Sequence, residues 1–354
     1  MLELQALQVL STVNCGWLWM IPAAPLAGAL ANGVLSWRRP AHPHRLASGI
    51  ALTAAGLSFF LAFLAFLTFK GLPDNAVLAQ GLLDWMEAPH LRFDAGLQLD
   101  DLSLVMVLFI TWVAGWIHLY AAGSPAPGGG GARYLVALNL MLFFLLVLVM
   151  ADGLFLMFLG WEGVGLCAVY LIGAGSTEGP GAQAAQKALA IHRLSDGAFL
   201  AGLLLVTILA GTGDFNSLQE LRQDFRGAAG LVCACFLVAA LGKAAQFPLS
   251  TWLPGSFVGP VPGLALLYAV SLGATGVYLV ARLHFLFVLA PWITTAMALA
   301  GAVTALGAAF LSASQTQLKK ILSYWTLSQV GLMFLALGVS AYTAGLFHLL
   351  SFGF

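Results

Sequence analysis

Two ionisable residues stand where an apolar sequence tolerates none without reason. Glu162 lies within LFLMFLGWEGVGLCAVYLIG (154–173), and Lys243 lies within LVCACFLVAALGKAAQFPL (231–249). Both stretches are otherwise almost wholly apolar. A charge at bilayer depth costs about 2.5–3.5 kcal/mol on insertion scales, so it persists where it faces a protein interior or a wet cavity. Desolvation disfavours an ammonium and a carboxylate alike, and pairing restores both. A buried acid and a buried amine that approach and separate therefore form an electrostatic switch. The lysine keeps its proton while the anion is near and releases it when the anion withdraws or another cation arrives. The chemistry on offer is proton carriage. The alternative is a permanent neutralising pair that only fixes helix packing.

Other polar residues sit close to this axis in the sequence. Arg193 and Asp196 in ALAIHRLSDGAFLAG (188–202) are three residues apart, so they share a helix face and can pair locally. They can modulate the Glu162–Lys243 charges or remain a self-contained pair. His192, beside them, fits a packing histidine more readily than a proton carrier. His118 and His284 read as interfacial. Ser323, Tyr324, Thr326, Ser328 and Gln329 make an unusually polar stretch inside an apolar run, suited to water along a half-channel or to hydrogen bonds between helices. Lys319 and Lys320 open that run as snorkelling anchors.

The elements that must position these groups follow from composition. Of 354 residues, 61% are hydrophobic and 8% charged, against about 25% charged in ordinary soluble domains. Repeated apolar runs of about 20 residues indicate a polytopic helical membrane protein, and their continuity argues against a β-barrel. The runs predict ten complete helices and part of an eleventh: 16–36, 46–69, 101–121, 133–151, 153–173, 184–211, 229–253, 262–282, 290–313, 317–338 and 342 onward. The seventh is expected to break near Pro248, because proline removes a donor and clashes with the preceding turn. Arg38, Arg39, Arg45, Arg133, Lys187, Lys319 and Lys320 fall on one side of this arrangement, with Glu178. Lys70, Arg92, Arg222, Arg226 and Arg282 fall on the other, with eleven carboxylates that include Asp74, Asp84, Glu87, Asp94, Asp100 and Asp101. The positive-inside rule makes the first side cytoplasmic and the N-terminus external. PHLRFDAGLQLD (89–100) alternates around Ala95-Gly96 and reads as an external hairpin. GSPAPGGGG (123–131) reads as a flexible cytoplasmic loop and not a phosphate cradle. Cys15, Cys167, Cys233 and Cys235 read as membrane-buried hydrophobes. MLELQALQVL lacks a basic leader, so the first span is expected to be retained. Zero net charge gives no footprint for nucleic acid.

With the spans laid out, several segments resemble one family. LFLMFLGWEGVGLCAVYLIG is similar to the fifth-helix signature of the proton-translocating antiporter-like subunit L of respiratory complex I, the NADH-quinone oxidoreductase chain L and mitochondrial chain 5 family. GKAAQFPLSTWL (242–253) resembles its seventh helix, QLKKILSYWTLSQVGLMFLALG (317–338) its tenth, and DDLSLVMVLFITWVAGWIHLYAAG (100–123) its third. Subunits of Mrp-type sodium/proton antiporters and of bicarbonate-accumulating complexes share much of this pattern. The resemblance implies an all-α antiporter-like fold of two inverted five-helix repeats, each with a broken helix. It divides the chain into helices one to three with the hairpin (1–130), a first repeat (131–285) and an incomplete second repeat (286–354). It assigns proton-path roles to Glu162, Lys243, Arg193, Asp196, His348 and Lys319.

The resemblance also defines departures. Gly255 stands where the family has an aspartate, and Tyr268 where it has a buried histidine. Tyrosine ionises only near pH 10 in water and is expected to relay charge poorly. Phe352 replaces a second histidine after His348. The sequence given stops at Phe354, so the second lysine site and the later helices are expected either on a second polypeptide or not at all, the latter making a non-pumping scaffold fragment. The expected function is a membrane-arm subunit of a proton-translocating NADH:quinone oxidoreductase, with other membrane subunits and the bilayer as partners, in a bacterial inner membrane. The alternative is a subunit of a cation/proton antiporter or bicarbonate-uptake complex. NADH, FMN, iron–sulfur clusters and quinone are expected in partner subunits. This chain is expected to hold none of them, since no glycine-rich turn follows a strand and no thiolate cluster occurs.

Overall fold

The computed structural model describes residues 11–38, 44–73, 76–88, 91–124, 131–174 and 178–354. Arg39, Asp74 and most of the glycine-rich segment 123–131 lie outside the described residues. The helices are α1 Met20–Arg38, α2 His44–Phe69, α3 Asp101–Gly123, α4 Gly131–Met150, α5 Leu154–Gly173 and α6 Pro180–Ala210. A short α7 Phe215–Glu220 precedes α8 Ala229–Lys243. Then come α9 Val261–Arg282, α10 Pro291–Ala313, α11 Leu318–Gly338 and α12 Tyr342–Gly353. Among the described residues, nine helices are long and apolar enough to cross a membrane, and α8 is a shorter apolar helix. The chain is a multi-pass, all-α membrane protein.

Local chemistry sets the ends and the crossings. Asp100 caps α3 by accepting from Ser103 N–H while the Ser103 hydroxyl accepts from the Asp100 N–H, a reciprocal arrangement that satisfies orphan donors of the first turn. A stripe of buried small residues on α2, including Ala47, Ala51, Ala55, Ser58, Ala62 and Ala65, lets neighbouring helices approach closely. Gly301 on α10 has the same use: a Cβ there would lie 2.6 Å from Gly331 O on α11.

One expectation changes, and the expected break in the seventh helix is found with a shifted boundary. Residues 91–99 form one strand, β3 Leu91–Leu99, and do not fold back at Ala95-Gly96. β3 pairs antiparallel with β2 Ala76–Ala88, which pairs in parallel with β1 Ser11–Asn14. The glycine at 96 answers a different need: a Cβ there would collide with Asp152 Oδ2 at 2.0 Å. The seventh predicted helix does not run from 229 to 253. It stops at Lys243, ahead of Pro248, and resumes as a 3-10 segment Ser250–Val258. The backbone freed by this break is satisfied locally. Trp252 Nε1 donates to Gly242 O (3.0 Å), Gln246 N–H donates to Leu241 O (2.7 Å), and Phe247 N–H donates to Thr304 Oγ1 (2.9 Å). That accounting is what a broken helix at membrane depth requires.

The helix ends at Asp100, Asp152, Asp214 and Arg282 meet on one side of the bundle. The Arg282 guanidinium grips the Asp100 carboxylate with both terminal nitrogens and donates to Tyr278 Oη (2.7 Å), which donates to Val149 O (2.7 Å). This clasp joins residues 182 positions apart. Burial pushes the Asp100 carboxyl up, but the adjoining Arg282 charge and hydrogen bonds from Arg282 and Ser103 outweigh it and hold the group at about 2. Beside it, Gly96 N–H donates to Asp152 Oδ1 (3.0 Å), at a cavity of about 280 Å³ that Asp94 and Asp214 also line. Burial, with the Asp214 and Asp94 charges, pushes Asp152 up to about 6.

Candidate functional site

The site is built where α8 stops. Lys243 is the last residue of α8, and its side chain is about 2% exposed. Its Nζ lies 2.9 Å from Asp196 Oδ1 on α6 and donates to Trp161 O on α5 at 3.2 Å. The indole of Trp161 sits under the same ammonium, 5.5 Å from the ring centre, adding a cation–π attraction. Asp196 Oδ2 lies 2.9 Å from Arg193 Nη2, and that nitrogen donates to Glu162 Oε2 at 2.7 Å. The four groups therefore form one alternating row: Glu162, Arg193, Asp196, Lys243.

This corrects the expected direct Glu162–Lys243 pair. No ion pair joins those two residues. Asp196 is the carboxylate in contact with the lysine, and Glu162 acts on it from further off, by its charge and through Arg193. Burial is graded along the row. The Glu162 and Arg193 side chains are 24% and 48% exposed, whereas Asp196 and Lys243 are closed off. Coulomb attraction holds the inner pair, and it changes smoothly with distance.

Several neighbours hold the lysine without signalling themselves in the sequence. Gly165 provides its space: a Cβ there would sit 2.1 Å from Nζ and 3.5 Å from His192 Nδ1. His192, which reads from sequence as packing, lies at the wall of this site with Nδ1 3.4 Å from Gly165 O and its ring edge-on to Trp252 at 4.7 Å. Ser195 Oγ donates to Ala239 O (2.6 Å) and ties α6 to α8 next to the ion row.

The structure does not bring Lys319 and His348 into this row. Lys319 Nζ donates to Gly259 O at 3.2 Å, and Lys319 is exposed. His348 Nε2 meets Gln329 Oε1 at 3.0 Å, joining α12 to the polar stretch of α11. Phe352 stacks near Trp325 at 5.1 Å. His118 is 1% exposed, buried between helices. His284 bonds Ala281 O (3.1 Å) and is exposed.

Tyr268 does more than its aqueous ionisation suggests. It lies in a π-helical stretch, Leu267–Ser271, within α9. Its hydroxyl meets Ser256 Oγ at 2.6 Å and Ser323 Oγ at 2.8 Å. Ser256 can also donate to Leu253 O (2.7 Å), and Ser323 to Lys319 O (2.9 Å). Three hydroxyls between two carbonyls have three protons for four links. The row can point either way: Ser256 to Tyr268 to Ser323 to Lys319 O, or the reverse to Leu253 O. The row can therefore reverse its direction by rotating its hydroxyls.

Among the described residues, no group of three His, Cys, Asp or Glu is placed to hold a metal ion.

A family model described as NADH:quinone oxidoreductase/Mrp antiporter, TM, matches residues 151–354, and one for the N-terminus of complex I chain 5 matches 85–123. NADH-quinone oxidoreductase subunit L of Rickettsia bellii is 35% identical over 346 residues, covering 95% of this chain and 53% of the relative. Its counterpart in Escherichia coli K12 is 40% identical over 280 residues, covering 78% and 46%. The chain thus spans about half the length of the curated relatives it matches. A chain of the Mrp complex from Dietzia sp. superposes with a TM-score of 0.80 at 24% identity, covering 95% of this chain and 36% of that one. A chain of the archaeal membrane-bound sulfane sulfur reductase superposes at 0.79 and 22%, covering 95% and 68%. These two likenesses establish the fold. With the family model covering 204 residues from Ala151 to Phe354, the chain belongs to the NADH:quinone oxidoreductase/Mrp antiporter transmembrane family.

Proposed function

We propose that this chain is a proton-carrying membrane-arm part of a multisubunit NADH:quinone oxidoreductase, seated in a bacterial inner membrane with its N-terminus outside. The observation that carries this reading is the buried Lys243 ammonium, held 2.9 Å from Asp196 at the end of a broken helix. Lys243 takes a proton when Asp196 is close. It gives the proton up when Arg193 turns from Glu162 towards Asp196 and weakens the pair. Glu162 is the outer handle of this device, since its charge decides how much of Arg193 is left for Asp196. The Ser256–Tyr268–Ser323 row offers a hopping route in place of an imidazole at 268. His348 and Lys319 are proposed as later members of the path, on the half-channel side of α11. The repeat boundaries near 131 and 285 belong to the same reading.

The redox chemistry, with NADH, FMN, iron–sulfur clusters and quinone, is proposed to reside in partner subunits. The Arg193 side chain, half exposed in the middle of α6, supports a protein or water neighbour there, because a charge at that depth is not left against lipid. The sequence and relatives of the L subunit favour the redox complex. The fold likeness to the Mrp complex favours a second reading, a subunit of a cation/proton antiporter. Lys243→Ala in the complete complex tests the site. Retained electron transfer with lost proton translocation supports the redox reading, and unchanged translocation refutes a role for Lys243. Cation-driven proton exchange without NADH oxidation would instead favour the antiporter.

A further inference from the structure

A second buried polar cluster lies away from Lys243, in the bundle of α1 to α4. Asn32 on α1, His118 on α3 and Asn139 on α4 are each at most 1% exposed. His118 Nδ1 lies 2.7 Å from Ala114 O, one turn back on its own helix. A carbonyl only accepts, so Nδ1 carries the hydrogen, and Nε2 of the neutral ring presents a lone pair. That Nε2 faces the Asn139 side chain but makes no aligned hydrogen bond. Neither end of the Asn139 amide has an aligned partner. Asn32 donates through Nδ2 to Ala47 O on α2 (2.9 Å) and leaves Oδ1 unpaired.

The helices are shaped around these groups. A Cβ at Gly28 would lie 2.8 Å from Asn139 Nδ2 and 2.5 Å from Ala54 Cβ. Gly28 and Asn32 are one turn apart on the same face of α1, so both amides address one seam. Buried polar groups in folded proteins find partners, and those without protein partners find ordered water. The inventory here matches water. His118 Nε2, Asn32 Oδ1 and Asn139 Oδ1 are three buried acceptors without an aligned donor, and Asn139 Nδ2 is a buried donor without an aligned acceptor. One water that accepts from Asn139 Nδ2 and donates to His118 Nε2 still has a hydrogen left for an amide oxygen.

We infer that the seam between α1, α3 and α4 is a water-binding site, with the His118 imidazole and the Asn139 amide as its opposite walls. It is independent of the Lys243 row and of the proton path proposed there. It puts a titratable ring in contact with internal water within the N-terminal bundle.

A map of the complete complex at a resolution that shows ordered water tests this. The expected result is a density peak within hydrogen-bond distance of His118 Nε2 and the Asn139 amide. A dry seam, with Nε2 bonded directly to Asn139 Nδ2, overturns the inference. Radiolytic hydroxyl-radical labelling of the same complex in ¹⁸O water gives a second readout. His118 is expected to label several-fold above the equally buried Met297, and Asn139→Leu to remove that excess. Labelling of His118 no stronger than that of Met297 in the unmutated complex contradicts the site, whether or not the variant folds.

Discussion

Asp196 holds two cations at once. Its Oδ1 lies 2.9 Å from Lys243 Nζ and its Oδ2 2.9 Å from Arg193 Nη2. The carboxylate is the hinge of the charge row, because any gain by one cation weakens its hold on the other. Removing one partner of a buried pair costs about 3–5 kcal/mol, since it strands the remaining charge. Asp196→Asn is therefore expected to abolish proton translocation and to lower the melting temperature of the complex. Glu162→Gln, at the partly exposed end, is expected to reduce translocation with a smaller effect on stability. Translocation assays and thermal scans on both variants check the ranking. Equal stability losses would contradict the gradient of burial.

Gly165 offers a way to move the lysine without changing any charge. A methyl at this position would overlap the ammonium, so Gly165→Ala should push Nζ away from Trp161 O and Asp196. The expected outcome is a membrane-inserted, assembled complex with translocation reduced by up to about a hundredfold, the order of loss that a misplacement of about 1 Å brings. Assembly on native gels together with proton uptake checks it.

The hydroxyl row through Tyr268 has its own test. Tyr268→Phe keeps the ring and removes the middle link between Ser256 and Ser323. Translocation should fall while electron transfer persists, and Tyr268→His should restore it. Unchanged translocation in Tyr268→Phe would show that protons travel elsewhere.

On the opposite flank of the bundle, Asp152 supplies a pH signature. Its carboxyl is raised from the ordinary 3.8 to about 6 by burial and by Asp214 and Asp94. The folded state therefore holds a proton that the unfolded chain has lost between those values. Stability from this group is fully present below about 3.8 and is lost as pH rises through about 6. Asp152→Asn can still accept from Gly96 N–H and does not titrate. Melting temperature against pH should show a wild-type decline across this window that the variant lacks.

The Asp100–Arg282 clasp fastens the start of α3 to the end of α9. Arg282→Met is expected to destabilise, by less than the about 3–5 kcal/mol of a fully buried pair, because it leaves a partly exposed carboxylate with only the Ser103 hydrogen bonds. A double-mutant cycle with Asp100→Asn should recover part of that loss. Additive losses would mean the two residues act separately.

The sequence makes some of this plain and hides the rest for physical reasons. Glu162 and Lys243 stand out because a charge against an apolar background is costly and therefore meaningful. Which partner each one takes depends on how α5, α6 and α8 rotate against one another, and residue spacing carries no record of that. Arg193 and Asp196 do pair locally as their spacing implies, but each also reaches a second helix. Ala95-Gly96 looks like a turn because glycine favours turns. Here the glycine admits the Asp152 carboxylate instead. The clasp of Asp100 and Arg282 was visible only as two loop charges on the same side. The end of α8 at Lys243 is displaced from Pro248 because Trp252, Thr304 and Leu241 supply the hydrogen bonds that let the helix stop earlier.

The most direct measurement is the ratio of protons moved to electrons transferred in proteoliposomes holding the complete complex with Lys243→Arg. Arginine keeps the positive charge beside Asp196 and the packing contact with Trp161, yet its guanidinium does not give up a proton in proteins. Loss of pumping in a complex that remains assembled and still oxidises NADH is the predicted result. Pumping at the unmutated ratio would mean that Lys243 is only a fixed counter-charge, and would contradict the account.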